Sequence, residues 1–216
     1  MSHERAPYIP AAGHDLLLPL YDPVLRLLMR ERVFRTRFLE QADIHSGHRV
    51  LDLGCGTGTM AVLIRQQRPE SVVVGVDGDP RALERARRKA AQASLPIQFD
   101  QAFADRLPYP DRSFDRVVSS LVFHHLTHDD KLAALREILR VLKPGGWFHL
   151  ADFGPPVGRY ATLLVQLTNP NERLRENLGG KLRQLCSDAG FTSVQDRGHH
   201  NTLFGTLTLL AASAAS

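Results

Sequence analysis

The sequence predicts an α/β protein, a doubly wound and mainly parallel sheet with helices on both faces, and three observations predict it. Short apolar runs rich in valine, leucine and phenylalanine alternate along the chain with longer segments of helical periodicity. Glycines stand at every second position, Gly54, Gly56 and Gly58, between the first such run and the helical segment after it. Asp77 ends the second run, nineteen residues beyond Gly58. In such an arrangement the N–H groups of a helix start face a ligand, and an acid about twenty residues on is placed for ribose hydroxyls.

Residues 1–21 read as irregular, with Pro7, Pro10, Gly13 and Pro19, yet they hold Leu16, Leu17, Leu18 and Leu20 beside His14, Asp15 and Tyr21. A disordered tail is not this rich in leucine, so the segment is expected to pack on something. Asp22-Pro23 is an N-cap followed by N1 proline, and Val24, Leu25, Leu28, Phe34, Phe38 and Leu39 carry helical spacing to about Ala42. Residues 1–44 are therefore read as a lid segment and helix, with His14 and Tyr21 as its acceptor-facing candidates.

The core is expected over residues 45–212. Arg49–Leu53 is the first strand, and the helix after the glycine loop runs over Met60–Gln67. Val72–Val76 is the second strand, Asp79-Pro80 opens a helix through Ala91, and Ile97–Phe99 is the third strand. The turn-rich Leu107-Pro108-Tyr109-Pro110-Asp111-Arg112-Ser113-Phe114-Asp115 leads into a fourth strand, Arg116–Ser120. Thr127 caps a helix with Asp129 and Asp130 early and Arg136, Arg140 and Lys143 late, matching the macrodipole. Its stripe is Leu132, Leu135, Leu139 and Leu142, and Lys143-Pro144-Gly145-Gly146 stops it before the fifth strand, Trp147–Asp152.

An insert is expected at about 153–180, with Gly154, Pro155, Pro156, Gly158 and a short apolar piece around Leu163–Leu167. A helix from about Asn171 or Gly180 to Ala189 follows, and Phe191–Arg197 and Leu203–Leu210 form the last two strands. Their joining turn is expected at Gly198-His199-His200-Asn201, which would leave both histidines in solvent. The hairpin makes a seven-stranded sheet with one antiparallel strand, and residues 213–216 are read as a frayed tail.

At 216 residues the chain fits one domain with a substantial core. It holds no run of about eighteen apolar residues and no secretory h-region, so no transmembrane segment is indicated. Cys55 and Cys186 make no disulfide framework, and a reducing cytoplasm is the default. Net charge is +4, with arginines mainly on two helices (Arg26 to Arg37 and Arg81 to Lys89) that carry few aromatics; stable nucleic-acid binding is not expected. Oligomeric state is open, a homodimer included.

The ligand of the loop follows from charge. A dinucleotide fingerprint puts glycine at its first, third and sixth positions, and here the sixth is Thr59. Asp52, just before the loop, would repel a pyrophosphate and attract an ammonium. S-adenosyl-L-methionine carries an ammonium and a ribose and no phosphate. Leu51 to Thr59 resembles motif I of the class I S-adenosylmethionine-dependent methyltransferases, whose usual form is D-x-G-x-G-x-G. Leu-Asp-Leu-Gly-Cys-Gly-Thr-Gly, the Leu107–Asp115 loop, His124-His125-Leu126 and Leu139 to Gly146 are similar to the small-molecule branch that includes ubiquinone and menaquinone C-methyltransferases. The resemblance covers about residues 45–152, with the final hairpin in agreement.

It implies a Rossmann-like sheet and a donor held by Asp52, Gly54, Cys55, Gly56, Gly58, Asp77 and Gly78, with Phe103, Ala104 and Leu121 bordering adenine and sulfonium. One departure stands out. The branch usually has Gly-Asp-Ala where this chain has Ala102-Phe103-Ala104, so the hydrogen bond from adenine to that Asp is lost. Among rim residues, His124 and His125 are candidate bases or pocket walls, and Asp152 either orients the acceptor or caps the next turn. With His128 they make no expected metal site, because adjacent side chains diverge. The reading is methyl transfer from S-adenosyl-L-methionine to a small apolar or aromatic acceptor. Its rivals are a donor-binding module without turnover and an NAD-dependent oxidoreductase, which Asp52 and the glycine spacing disfavour.

Overall fold

The computed structural model of the chain describes residues 31–168 and 170–215. Its sheet has the order β3-β2-β1-β4-β5-β7-β6. The strands are β1 (Arg49–Leu53), β2 (Val72–Asp77), β3 (Gln98–Gln101), β4 (Phe114–Ser120), β5 (Leu142–Phe153), β6 (Ser193–Thr202) and β7 (Gly205–Ser213). β1 pairs in parallel with both β2 and β4. β7 alone runs antiparallel, inserted between β5 and β6. The strand order reverses at β1 and β4, so the loops leaving them diverge and open a crevice at the carboxyl edge.

Helices cover both faces: α1 (Glu31–Gln41), α2 (Thr59–Gln67), α3 (Pro80–Gln92), α4 (His128–Val141), α5 (Arg159–Thr168), α6 (Glu172–Leu178) and α7 (Leu182–Asp188). The period of two along a strand divides the core. Val50, Val118, Ala151 and Leu209 face Phe34 and Phe38 of α1, Ile64 of α2 and Leu83 of α3. Leu51, Val117, Leu150 and Leu210 face Leu135 and Ile138 of α4 and Leu185 of α7. The helix starts follow their sequence signals. Asp79 Oδ1 accepts from Arg81 N–H, 2.8 Å, ahead of Pro80, and Thr127 with Asp130 forms a capping box for α4.

The Leu107–Asp115 loop is clamped from α4. Arg140 donates to the carbonyls of Tyr109, 2.8 Å, and Leu107, 3.1 Å, while Glu137 accepts the Leu107 N–H at 2.7 Å. Asp115 takes Lys143 Nζ and Arg49 N–H, each at 2.8 Å, and ties the amino ends of β1 and β4 together away from the crevice.

Several expected boundaries move. Of the two starts open for the helix ending near Ala189, the one near Gly180 holds for α7, and the residues from Asn171 form a separate helix, α6, ended at Gly179-Gly180, where Gly180 has φ +78°. The residues around Leu163–Leu167 belong to α5. The hairpin turns at Leu203-Phe204, so His199 and His200 lie in β6 opposite Thr208 and Leu207 and not in the turn. Gly198, with φ +100°, sits at a register shift between Asp196 and His199 and signals a bulge. β7 continues to Ser213, and Ala214 N–H still donates to Gly146 O, 3.0 Å, so the chain is tied beyond the point where fraying was expected. His14, Tyr21 and the lid expected over residues 1–21 lie outside the described residues.

Candidate functional site

β1 ends in a loop whose three glycines all have positive φ, +68° at Gly54, +52° at Gly56 and +74° at Gly58, a region that costs an L side chain about 1–2 kcal/mol. Beyond conformation they differ. A Cβ on Gly54 would meet the Val122 side chain of the loop after β4, and one on Gly58 would stand 2.8 Å from Ala86 Cβ and 3.1 Å from Phe99 Cζ. A Cβ on Gly56 would find nothing within 4 Å. Gly54 and Gly58 are packing glycines; Gly56 faces the open crevice.

Two carboxylates shape this end of the sheet. Asp77 Oδ2 accepts the Gly56 N–H at 2.8 Å and its Oδ1 accepts the Asp79 N–H at 2.9 Å. Burial raises its pKa, opposed by those two N–H groups. Asp52 is fully buried on the face shared with α1 and α2, and its Oδ2 has no hydrogen-bond partner among the described residues. Burial pushes its pKa up to about 7, opposed by the Arg35 charge and the Ala61 N–H. A buried carboxylate oxygen without a donor, next to a glycine-lined crevice, fits the ammonium of an amino-acid ligand.

Cys55 reaches the crevice through its backbone only. Its side chain is buried toward Gly75, and burial raises the thiol pKa well beyond its ordinary value. Gly78 lies under Phe103, whose Cε1 would be 2.8 Å from a Cβ there. The Phe103 ring is 46% exposed beside Asp77, presenting a flat apolar surface where the family's usual residue is an acid. Ala104 is half-buried at the edge of the core.

The far wall follows β4. Leu121 has φ +61°, a conformation that costs about 1–2 kcal/mol, and its N–H donates to Ala151 O at 2.9 Å. It turns the chain into a single 3₁₀ turn, Phe123–His125. Asp152, fully buried at the end of β5, holds that turn. Its Oδ2 accepts from Val122 N–H, 2.9 Å, and Phe123 N–H, 2.7 Å, and its Oδ1 from Phe153 N–H, 2.7 Å, and His124 Nδ1, 2.8 Å. A carboxylate accepts, so His124 Nδ1 carries a proton, and in the neutral form of the ring the lone pair is on Nε2. The His124 ring stands edge-on to Phe153, with centroids 5.1 Å apart, and against His125 at 3.9 Å. The His125 ring is exposed on one side; desolvation on the other, then repulsion by His124, lowers its pKa to about 4. His128 belongs elsewhere, its Nδ1 2.6 Å from Glu176 Oε1.

The crevice thus has Gly56, Asp77, Gly78 and Phe103 on one side, with Asp52, Gly54 and Gly58 packed behind them, and Leu121 and His124 on the other. Asp152 sits behind His124 and not in the crevice. Two contributors read only as solvated arginine-helix residues in the sequence are added. Lys89 Nζ of α3 donates to Thr57 Oγ1, 3.1 Å, and Thr59 Oγ1, 2.7 Å, bracing the glycine loop. Arg35 of α1 donates to Ser120 Oγ at 3.5 Å and acts on Asp52. No sequence signal links either to the loop, because the contacts span tens of residues. A cavity of about 210 Å³ lies by Asn177, Arg183 and His199, beyond Asp152. It holds none of the glycine-loop groups.

A seven-stranded sheet in this order, with a glycine loop after β1 and an acid after β2, defines the class I methyltransferase fold. The comparisons agree: the family described as "Methyltransferase domain" matches residues 50–146. A demethylmenaquinone methyltransferase of Deinococcus radiodurans is 39% identical over 142 residues, 65% of this chain and 58% of its own length. A ubiquinone/menaquinone biosynthesis C-methyltransferase of Pseudomonas putida is 35% identical over 202 residues, covering 82% of this chain and 77% of that protein. Among solved structures, the YcgJ protein of Bacillus subtilis superposes with TM-score 0.70 at 22% identity, over 84% of this chain and 98% of that one. The match to the Deinococcus relative thus spans less than two thirds of that protein. The chain belongs to the class I S-adenosylmethionine-dependent methyltransferases.

Proposed function

We propose that this protein transfers the methyl group of S-adenosyl-L-methionine to a small, apolar or aromatic acceptor of the quinone type. The observation that carries the donor assignment is the buried, unpartnered Oδ2 of Asp52 beside a glycine loop that Asp77 holds by its backbone. An ammonium gives that oxygen its donor; a pyrophosphate would meet a negative charge instead. The donor supplies a methyl carbon on a sulfonium, open to in-line displacement.

The chain's own residues supply position, charge and dryness. Asp52 takes the ammonium, and Arg35, already within electrostatic reach of Asp52, takes the donor carboxylate. Asp77 offers the ribose hydroxyls the lone pairs that Gly56 and Asp79 leave. Gly78 and Phe103 form a flat apolar wall for adenine, so stacking replaces the missing carboxylate contact. His124, fixed by Asp152, turns Nε2 to the proton that a hydroxyl or ring carbon of the acceptor releases. His125, neutral at pH 7, lines the rim beside it. Asp152 is a positioning residue.

The names of the relatives support a quinone-like acceptor. Among the described residues no helix is long and apolar enough to cross a membrane, and we place the protein in the cytoplasm. Titration calorimetry with S-adenosylhomocysteine and with NAD tests the donor, with binding of the first alone expected. Turnover on a panel of quinols and phenols tests the acceptor. Tight donor binding without turnover on any of them would leave a donor-binding module.

A further inference from the structure

An apolar surface beside the crevice has no part in the donor site. Of the ten residues of α5, only Ala161 is buried. Val157, Tyr160, Leu163 and Leu167 are 40%, 57%, 53% and 74% exposed. The hairpin tip adds Leu203 and Phe204, 49% and 42% exposed. Tyr160 Oη donates to Leu203 O at 2.9 Å, so helix and tip form one continuous face. Exposed apolar residues scattered singly need no explanation, but six from α5, the segment leading into it and the hairpin tip, tied together, do.

Charge along the segments that carry this face is mainly positive. No Asp or Glu occurs from Gly154 to Asn171, nor after Asp196. From Gly154 to Arg183 the chain holds five cations, Arg159, Arg173, Arg175, Lys181 and Arg183, against Glu172 and Glu176. Glu176 is already taken by His128, 2.6 Å, and Lys131, 2.8 Å. A second copy of the chain docking through the same face by a two-fold axis would bring these cations together. An anionic lipid surface accepts both features, burying the apolar side chains and neutralising the cations.

We propose that α5 and the Leu203-Phe204 tip form a docking face for an anionic bilayer, with Val157, Tyr160, Leu163, Leu167, Leu203 and Phe204 entering the headgroup–acyl boundary. Because the strand that carries Asp152 ends at Phe153 and leads through Gly154 to α5, docking brings the carboxyl rim of the sheet to the lipid. An acceptor with an apolar tail could then reach the crevice without crossing water. The docking claim stands on the surface alone and does not depend on which acceptor or donor is used.

The test is flotation of the full-length protein with phosphatidylcholine vesicles, with or without phosphatidylglycerol. Wild type should float with the mixed vesicles and far less with neutral ones, and about 0.5 M salt should weaken binding by shrinking the Debye length to a few ångström. Leu163→Gln with Leu167→Gln should lower the vesicle partition by at least about tenfold, with circular dichroism and calorimetric S-adenosylhomocysteine binding unchanged. Should that variant misfold, the lipid and salt dependence of wild type decides. Hydrogen exchange in α5 should slow on adding mixed vesicles. Wild type that ignores phosphatidylglycerol, or a folded variant that floats as well as wild type, overturns the proposal. So does full exchange protection of α5 without lipid, which assigns the face to another part of the chain. A dimer in sedimentation velocity that the variant splits, without vesicle binding, assigns it to a second copy.

Discussion

Asp52 is where the site's chemistry and the protein's stability pull in opposite directions. Its folded pKa, about 7, lies above the ordinary carboxylate value, so the folded form holds this proton more tightly than the unfolded chain does. The stability it contributes is full below the unfolded value and is lost as pH rises through about 7. Asp52→Asn should therefore stabilise the fold at pH 8, on the order of 1–4 kcal/mol, and much less at pH 4, read as the shift in Tm. It should abolish most donor binding. In wild type an ammonium ligand needs the carboxylate ionised, so S-adenosylhomocysteine affinity should fall below pH 7, approaching tenfold per pH unit; a flat profile would sink the ammonium assignment. The glycines separate by the same logic. Gly58→Ala should cost about 1–3 kcal/mol of stability, from positive φ plus the Ala86 and Phe99 contacts. Gly56→Ala should cost about 1–2 kcal/mol through φ but weaken the donor, because its Cβ enters the open crevice. Normal calorimetric affinity in Gly56→Ala would remove Gly56 from the site.

At the scale of elements, the wall opposite the glycine loop is built by a strand end and a turn: Asp152 of β5 carries four close hydrogen bonds from Val122, Phe123, His124 and Phe153. His124→Gln should lower kcat by about 10²–10⁴ while the dissociation constant of S-adenosylhomocysteine stays nearly constant; equal losses in both would make His124 a donor wall. Asp152→Asn sets an amide donor against backbone donors, costs about 1–3 kcal/mol of stability, and should lower kcat with it. The sequence carried the helix starts well, since Asp79-Pro80 and Thr127 with Asp130 cap through contacts within three residues. It misplaced the last turn. Gly198 and Asn201 are turn-forming types, but Gly198 occupies a bulge. The chain reverses instead at apolar Leu203-Phe204, where Thr202 Oγ1 donates to Gly205 O, 2.8 Å, and accepts Phe204 N–H, 3.0 Å. That register is fixed by the pairing of β7 with β5, which local residue types do not encode.

For the whole molecule, the donor half and the acceptor half should come apart experimentally. The sheet and its two core faces are complete among residues 31–215, so removing residues 1–20 should leave a folded protein that binds S-adenosylhomocysteine almost normally and methylates its acceptor poorly. Full turnover in the truncated protein would move the acceptor pocket to residues 153–180. By itself the sequence determined the α/β architecture, the strand that ends in the glycine loop, and the paired acids Asp52 and Asp77, because period, turn chemistry and short spacing are local properties of a chain. Only the tertiary structure decided that Gly56 is the glycine facing the crevice. It alone made Asp152 a buried support for His124 and brought Arg35 and Lys89 to a loop far from them in sequence. Those outcomes depend on which buried groups find partners once distant segments pack, and burial and hydrogen bonding across the fold have no signature in neighbouring residues.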